Sequence, residues 1–151
     1  MNQSVAAVDA SVAVKWVVTA EDFADRASAL LRDSLQLDRV LVGPPPLAGE
    51  VAHGIYQRVR SREPARHLTE DEAREALAQF LNLPLQVITP AGLYTGAFDF
   101  AREHDLPSAH DSLYVVLAQI LGIDLWTADR RLLTALGTSA SWVRFIGDYP
   151  A

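Results

Sequence analysis

The chain has 151 residues, and 50% of them are hydrophobic, which is enough to bury the core of one compact domain. It contains no cysteine, so disulfides and thiolate metal sites are excluded, and a reducing, cytoplasmic location is expected. The net charge of −6 argues by itself against a nucleic-acid partner, because phosphate binding needs a basic surface. No basic residue precedes the first apolar stretch, and no uncharged run reaches about 18 residues, so neither a signal peptide nor a membrane span is expected.

Five short apolar runs with strand character alternate with helical patterns along the whole chain. The predicted strands are residues 5–8, 40–42, 85–88, 123–127 and 142–146. The predicted helices include residues 22–37, a segment that begins at the Thr69 and Glu72 capping box, residues 93–104 and residues 109–121. Such alternation is typical of a mostly parallel sheet covered on both faces. We therefore predict a single domain over residues 1–151, folded as a three-layer α/β/α sandwich with a five-stranded sheet.

Two of the intervening segments carry clear local signals. The helix over residues 109–121 is apolar nearly all round, which predicts a central, buried position, and Gly122 is expected to end it. The sequence "GPPP" at residues 43–46 indicates a tight loop rather than a domain boundary.

Four acidic residues stand where predicted strands end or predicted helices begin. Asp9 follows the first strand, Glu50 lies in the first turns of the helix after the second strand, Asp111 opens the central helix, and Asp129 follows the fourth strand. The carboxyl ends of parallel strands share one edge of the sheet, and open α/β sheets bind their ligands at that edge. We therefore expect these four side chains to meet.

Each of these acids also has a purely structural interpretation. Asp9 and Asp129 could cap helices, Glu50 could interact with a helix dipole, and Ser108 with Asp111 fits a capping box. Four carboxylates at one edge would repel each other unless something neutralised them. A hard divalent cation with oxygen ligands would do so.

Four arginines cluster in "RVRSREPAR", at positions 58, 60, 62 and 66. One interpretation is a solvated helix end. The other is a rim that contacts substrate phosphates, with Arg58, Arg60, Arg62 and Arg66 as substrate-binding residues and Tyr56 nearby for base stacking. Both interpretations place these arginine side chains at the surface.

Other catalytic patterns are weak. Glu50 and His53 form only half of a di-iron signature, and the histidines show no zinc spacing. No glycine-rich phosphate loop is present. "DAS" at residues 9–11 lacks the second Asp that phosphatases with an Asp nucleophile need.

With the four acids in place, the chain resembles the PIN-domain family and, within it, the VapC-type toxins of type II toxin–antitoxin pairs. The segments that carry the resemblance are "VDASVAVKW" (8–16), "LAGEVAHGI" (47–55), "PSAHDSLYVVLAQILGIDLWTADRRLL" (107–133) and "VRFI" (143–146). Together they extend over essentially the whole chain.

The resemblance assigns the catalytic and metal-binding acids of the family to Asp9, Glu50, Asp111 and Asp129. It assigns two supporting hydroxyls to Ser11 and Thr127. It implies an endoribonuclease that uses Mg²⁺ or Mn²⁺ to activate water and leaves a 5′ phosphate and a 3′ hydroxyl. It also implies a homodimer and inhibition by a cognate antitoxin protein.

Two other hypotheses remain open at this point. A PIN-like domain could be a non-catalytic module that binds RNA or protein and keeps its acids for stability. A small-molecule phosphohydrolase could use a similar sheet. Metal-dependent RNA cleavage would distinguish the nuclease from both.

Overall fold

The computed structural model describes residues 4–151 and is built on one five-stranded sheet. The strands are β1 Val5–Val8, β2 Val40–Gly43, β3 Leu85–Val87, β4 Leu125–Thr127 and β5 Val143–Phe145. The helices are α1 Ala10–Ala13, α2 Ala24–Gln36, α3 Leu47–Arg60, α4 Glu70–Leu81, α5 Leu93–Glu103, α6 Ala109–Leu121 and α7 Arg130–Leu136. Single 3₁₀ turns, Val14–Trp16 and Ile146–Asp148, follow α1 and β5.

The strand order is β3-β2-β1-β4-β5, and every neighbouring pair is parallel. Val5 pairs with Val40 on one side of β1, and Ala7 pairs with Leu125 on the other. The α/β class and the parallel five-stranded sheet are thereby confirmed. β3, β4 and β5 are one or two residues shorter than predicted, because the apolar runs extend beyond the residues that join the ladder.

The helices form two layers. Crossovers between parallel strands are right-handed in nearly all proteins, so the helices of the β1-to-β3 half are expected on one face of the sheet and those of the β3-to-β5 half on the other. The packing agrees, since α3 contacts both α1 and α4, whereas α5 packs against α6. Strand β1, "VAAV", is buried over its last three residues, as expected for a strand covered on both faces.

Helix α6 occupies the central position that its sequence predicts. Its residues from Ser112 to Ala118 are all buried, and Gly122 ends it in a left-handed conformation with φ of 65°. The capping box of α4 is also confirmed, with Thr69 Oγ1 accepting from the Glu72 amide at 3.1 Å and Glu72 Oε1 accepting from the Thr69 amide at 3.0 Å.

The capping box predicted for Ser108 and Asp111 is wrong. Ser108 does cap α6, but its Oγ accepts from the His110 amide, and among the described residues no bond joins it to Asp111. The Asp111 carboxylate faces a cavity instead. Asp129 caps α7 as expected, because its Oδ1 accepts from the amides of Arg131 and Leu132.

The direction in which successive strands are added to the sheet reverses between β1 and β4. The chain leaves β1 toward β2 and later returns to the opposite side of β1 to form β4. Connections that diverge in this way leave a crevice beyond the carboxyl ends of the two strands. Asp9, which follows β1, and Thr127, which ends β4, stand at that crevice.

Across residues 4–151, none of the helices combines the length and apolarity that crossing a membrane would require. The expectation about a signal peptide rests partly on residues 1–3, which lie outside the described residues.

Candidate functional site

Four acidic side chains line one cavity of about 470 Å³ at the carboxyl edge of β1 and β4. We call it the acid pocket, and its carboxylates belong to Asp9, Glu50, Asp111 and Asp129. Each stands at a helix N-terminus: before α1, in the first turn of α3, in the first turn of α6, and at the cap of α7. Helix N-termini carry partial positive charge, so they lower the cost of gathering these acids. His53 and His110 line the same cavity.

Asp9 is the deepest of the four acids, with 7% of its surface exposed. Its Oδ2 accepts two hydrogen bonds, from Thr127 Oγ1 at 2.7 Å and from Ser11 Oγ at 2.9 Å. No described residue donates to its Oδ1. One carboxylate oxygen is therefore used to fix the orientation of the side chain, and the other is left for the pocket.

The two hydroxyls that hold Asp9 are themselves oriented by the backbone after β4. The Ala128 amide donates to Ser11 Oγ, and the Asp129 amide donates to Thr127 Oγ1, both at 3.0 Å. Because each hydroxyl oxygen accepts from an amide, its own proton is free to point at Asp9. The β4–α7 turn thus positions Asp9 across the two central strands.

The pKa values of two of the acids are raised above the usual range. Burial raises the pKa of Asp9, the bonds from Thr127 and Ser11 lower it, and the charges of Glu50 and Asp129 raise it further. Burial, followed by the charges of the other three acids, raises the pKa of Asp111 to about 6. The protein alone therefore does not fully compensate the negative charge of the pocket.

Tyr114 is a site residue that the sequence interpretation missed. Its hydroxyl donates a hydrogen bond to Glu50 Oε1, its side chain is buried, and burial and this bond raise its pKa. Residues three apart on a helix share a face, so the spacing of Asp111 and Tyr114 could have placed both at the pocket. The residue was interpreted only as part of the apolar surface of the central helix.

The acid pocket has the donor chemistry of a hard divalent cation site. Among residues 4–151, no lysine or arginine forms an ion pair with any of its carboxylates. Within the same range, no three His, Cys, Asp or Glu side chains are already grouped closely enough to hold one ion together. Mg²⁺ commonly uses one or two carboxylates and keeps several waters, so the residues present fit it without a preformed cage.

The structure separates the four arginines of the 58–66 segment. Arg58 is 3% exposed, so placing it at a solvated helix end or on a surface rim was wrong. It is buried because its Nη1 donates to the Arg66 carbonyl at 2.9 Å and its Nη2 lies 3.5 Å from Glu21 Oε1. Arg60 and Arg66 are exposed and, with Arg58, line a second cavity, whereas Arg62 is exposed and does not line it.

The sequence model of the PIN domain matches residues 6–136, which includes all four acids of the pocket and both supporting hydroxyls. A search of curated proteins found none that matches the chain. PIN domains are generally nucleases, and the match covers most of the chain. On this evidence the chain belongs to the PIN-domain family.

Proposed function

We propose that this protein is an endoribonuclease that depends on Mg²⁺ or Mn²⁺ and acts as the VapC-type toxin of a toxin–antitoxin pair. One observation carries the nuclease proposal: four carboxylates line one cavity at the crevice between β1 and β4, and no described cationic side chain pairs with them. A surplus of negative charge around one buried and three partly buried carboxylates favours a site that receives a cation.

Each acid has a distinct part in the proposal. Asp9 and Asp111, whose pKa values are raised, would hold the ion, and Glu50 and Asp129 would complete its surroundings directly or through water. When bound, the ion supplies an activated water to attack phosphorus and offsets charge on the leaving 3′ oxygen. The Tyr114 hydroxyl holds Glu50 in a single orientation.

The test is cleavage of single-stranded RNA with and without Mg²⁺ or Mn²⁺, with both fragment ends mapped. We expect metal-dependent cleavage that leaves 5′ phosphates and 3′ hydroxyls and that Asp111→Asn abolishes. Asp99→Asn, a matched loss of charge at an exposed position on α5, should cleave like the wild type.

Cleavage that persists with a chelator, or in Asp111→Asn, would refute the proposed metal-dependent site. A Mn²⁺-dependent rise in melting temperature without any cleavage would favour a non-catalytic module. Hydrolysis of a chromogenic phosphate ester, with no action on RNA, would favour a phosphohydrolase.

The toxin role and the partners rest on the resemblance alone. We propose a homodimer and a cognate antitoxin that places a basic side chain in the acid pocket, since a charge-assisted bond to carboxylate would compete with the metal. Expression in bacteria should arrest growth, and Asp111→Asn should relieve the arrest. Normal growth under wild-type expression would contradict the toxin role without touching the nuclease proposal.

A further inference from the structure

A second cavity, of about 520 Å³, adjoins the acid pocket. We call it the basic pocket, because Arg58, Arg60 and Arg66 line it. Val14 and Gly54 line both cavities, so the two adjoin, and we call the pair the trough.

The trough runs along one face of α3. Glu50, in the acid pocket, and Gln57, in the basic pocket, are seven residues apart on α3. They therefore lie on the same face of the helix, separated by about 10 Å along its axis. The trough is therefore long enough for an extended ligand to reach from one pocket to the other.

Positive charge exceeds negative charge in the basic pocket. The three arginines face a single lining carboxylate, Glu21. Lys15 adds a fourth cation close by and is 7% exposed; burial lowers its pKa, the charges of Glu21 and Asp22 raise it, and those of Arg58 and Arg66 lower it again. The chain as a whole has a net charge of −6, so the basic pocket is a local region of positive charge on a negatively charged protein.

Arg58 is the fixed part of this cluster. The side chain of Arg58 donates to the Arg66 carbonyl, and its backbone carbonyl accepts from the Leu68 amide at 3.1 Å. Arg58 therefore closes the loop after α3 through both its side chain and its backbone. Its Nε and Nη2 are buried and have no hydrogen-bond partner among the described residues. The same Nη2 lies 3.5 Å from Glu21 Oε1, so Arg58 is held between the Arg66 carbonyl and the Glu21 carboxylate and fixes the loop that carries Arg66.

We propose that the basic pocket binds a phosphate of the RNA substrate next along the strand from the scissile phosphate in the acid pocket. Arg60 and Arg66 would contact that phosphate, and Arg58 would act as a positioning residue beneath them. This inference rests on the proposed function, because the scissile phosphate defines the position of the strand.

RNA is the occupant that the observations favour. Guanidinium groups bind phosphate oxygens with good geometry, and the pocket shares Val14 and Gly54 with the carboxylate site where the cleaved bond would lie. A cation held among the carboxylates and arginines in the adjacent pocket would present two positive sites in series to a polyanion. An acidic protein segment would meet the same positive charges, but it has no phosphodiester bond to place at the carboxylate site.

The first experiment measures binding of a fluorescent single-stranded RNA by anisotropy with Mg²⁺ present, and every protein tested also carries Asp111→Asn so that no cleavage occurs. Arg60→Ala and Arg66→Ala should each raise Kd about 3- to 10-fold. Each should also reduce the slope of log Kd against log salt by about 0.7, the value for one lost phosphate contact on a single strand. Arg62→Ala removes the same charge from the same loop but outside the pocket, and its Kd should stay close to that of the wild type.

A second variant tests whether the two pockets form one trough. A Cβ at Gly54 would meet only Val14 Cγ2, at 3.5 Å, which is an ordinary contact, and either alanine or leucine is a better helix former than glycine. Gly54→Ala should therefore fold at least as stably as the wild type. Gly54→Leu, whose unfolding is measured alongside, should narrow the junction and raise Kd for RNA more than Gly54→Ala does. Equal Kd values for the two variants would contradict a continuous strand path.

The outcomes separate this inference from the nuclease proposal. If RNA is not cleaved but Arg60→Ala and Arg66→Ala weaken binding more than Arg62→Ala, the phosphate subsite stands and the nuclease proposal fails. If RNA is cleaved and all three variants bind and cleave it alike, the subsite fails and the nuclease proposal stands. Unchanged RNA binding in these variants would also leave an acidic protein segment as the alternative occupant.

Discussion

The two pockets of the trough bury charge in opposite ways. In the basic pocket, buried Arg58 has a protein counter-ion, because its Nη2 lies 3.5 Å from Glu21 Oε1. In the acid pocket, buried Asp9 is bonded, among the described residues, only by the hydroxyls of Ser11 and Thr127, and burial together with neighbouring carboxylates raises its pKa. A charge that the fold pairs internally stabilises the fold, whereas a charge that it leaves uncompensated is suited to a ligand. Substitutions in the two pockets should therefore have opposite consequences.

The largest effect is expected from Asp9→Asn. Cleavage should fall by more than about 100-fold, the upper end of what loss of a supporting residue costs, because Asp9 would hold the ion itself. Stability should not fall, since the amide oxygen can still accept from both hydroxyls and a buried charge has been removed. Denaturant unfolding and initial cleavage rates measure the two effects. A variant that is much less stable than the wild type would show that the carboxylate has a structural role.

Arg58→Leu, in contrast, is expected to lower stability, which denaturant unfolding measures. It removes the bond to the Arg66 carbonyl and leaves Glu21 without its partner, so the free energy of unfolding should drop by about 2 kcal/mol. This is below the usual cost of breaking a fully buried pair, because the Glu21 side chain is 21% exposed. Arg102→Leu, at an exposed position on α5, is the matched control.

A double substitution sharpens the same contrast. Adding Glu21→Leu to Arg58→Leu should recover part of the lost stability, because no unpaired charge remains. If the double variant costs as much stability as Arg58→Leu and Glu21→Leu cost in sum, Glu21 and Arg58 are not coupled.

The fold could be predicted from the sequence because its signals are local. The run "VAAV" is typical of a strand covered on both faces, and the nearly all-apolar α6 is typical of a buried helix that packs on the sheet. The Thr69 capping box depends only on residues three apart. The gathering of the four acids follows from parallel topology, which brings distant strand ends to one edge.

The parts that could not be predicted depend on partners distant in sequence. Burial of Arg58 requires Glu21 from the segment before α2, and nothing within "RVRSREPAR" indicates it. Tyr114 was missed because its bond to Glu50 joins two helices. Ser11 and Thr127 were assigned through the resemblance, and their shared bonds to Asp9 depend on β1 and β4 being neighbours.

A smaller effect is expected from the hydroxyls that orient Asp9. Thr127→Val keeps the shape of a fully buried side chain but removes the 2.7 Å bond to Asp9 Oδ2. Cleavage should fall about 10-fold, the low end for a supporting residue, because Ser11 still donates to the same oxygen. Thr127→Ser should restore most of the rate. If serine rescues nothing, the methyl group rather than the hydroxyl is what matters at this position.

The smallest effect is a pH dependence of stability in the metal-free protein. The pKa of Asp111 is about 6 in the folded chain against an ordinary 3.8, so the folded state binds its proton more tightly than the unfolded state does. Stability therefore falls as the pH rises from about 4 to about 6, the reverse of a carboxylate in a salt bridge, and the raised pKa of Asp9 acts in the same direction. The decline should be shallow, because Asp111 is only half buried.

Asp111→Asn should flatten this decline, and Asp99→Asn should not, when melting temperature is followed from pH 4 to 7 in a chelating buffer. Adding Mg²⁺ at pH 7 should raise the melting temperature of the wild type more than that of Asp111→Asn, because the ion replaces the proton as the neutralising charge. Parallel pH profiles for the two variants would mean that the carboxylates of the acid pocket do not interact strongly. The charge of the acid pocket would then not be uncompensated, and its contrast with the internally paired Arg58 would be wrong.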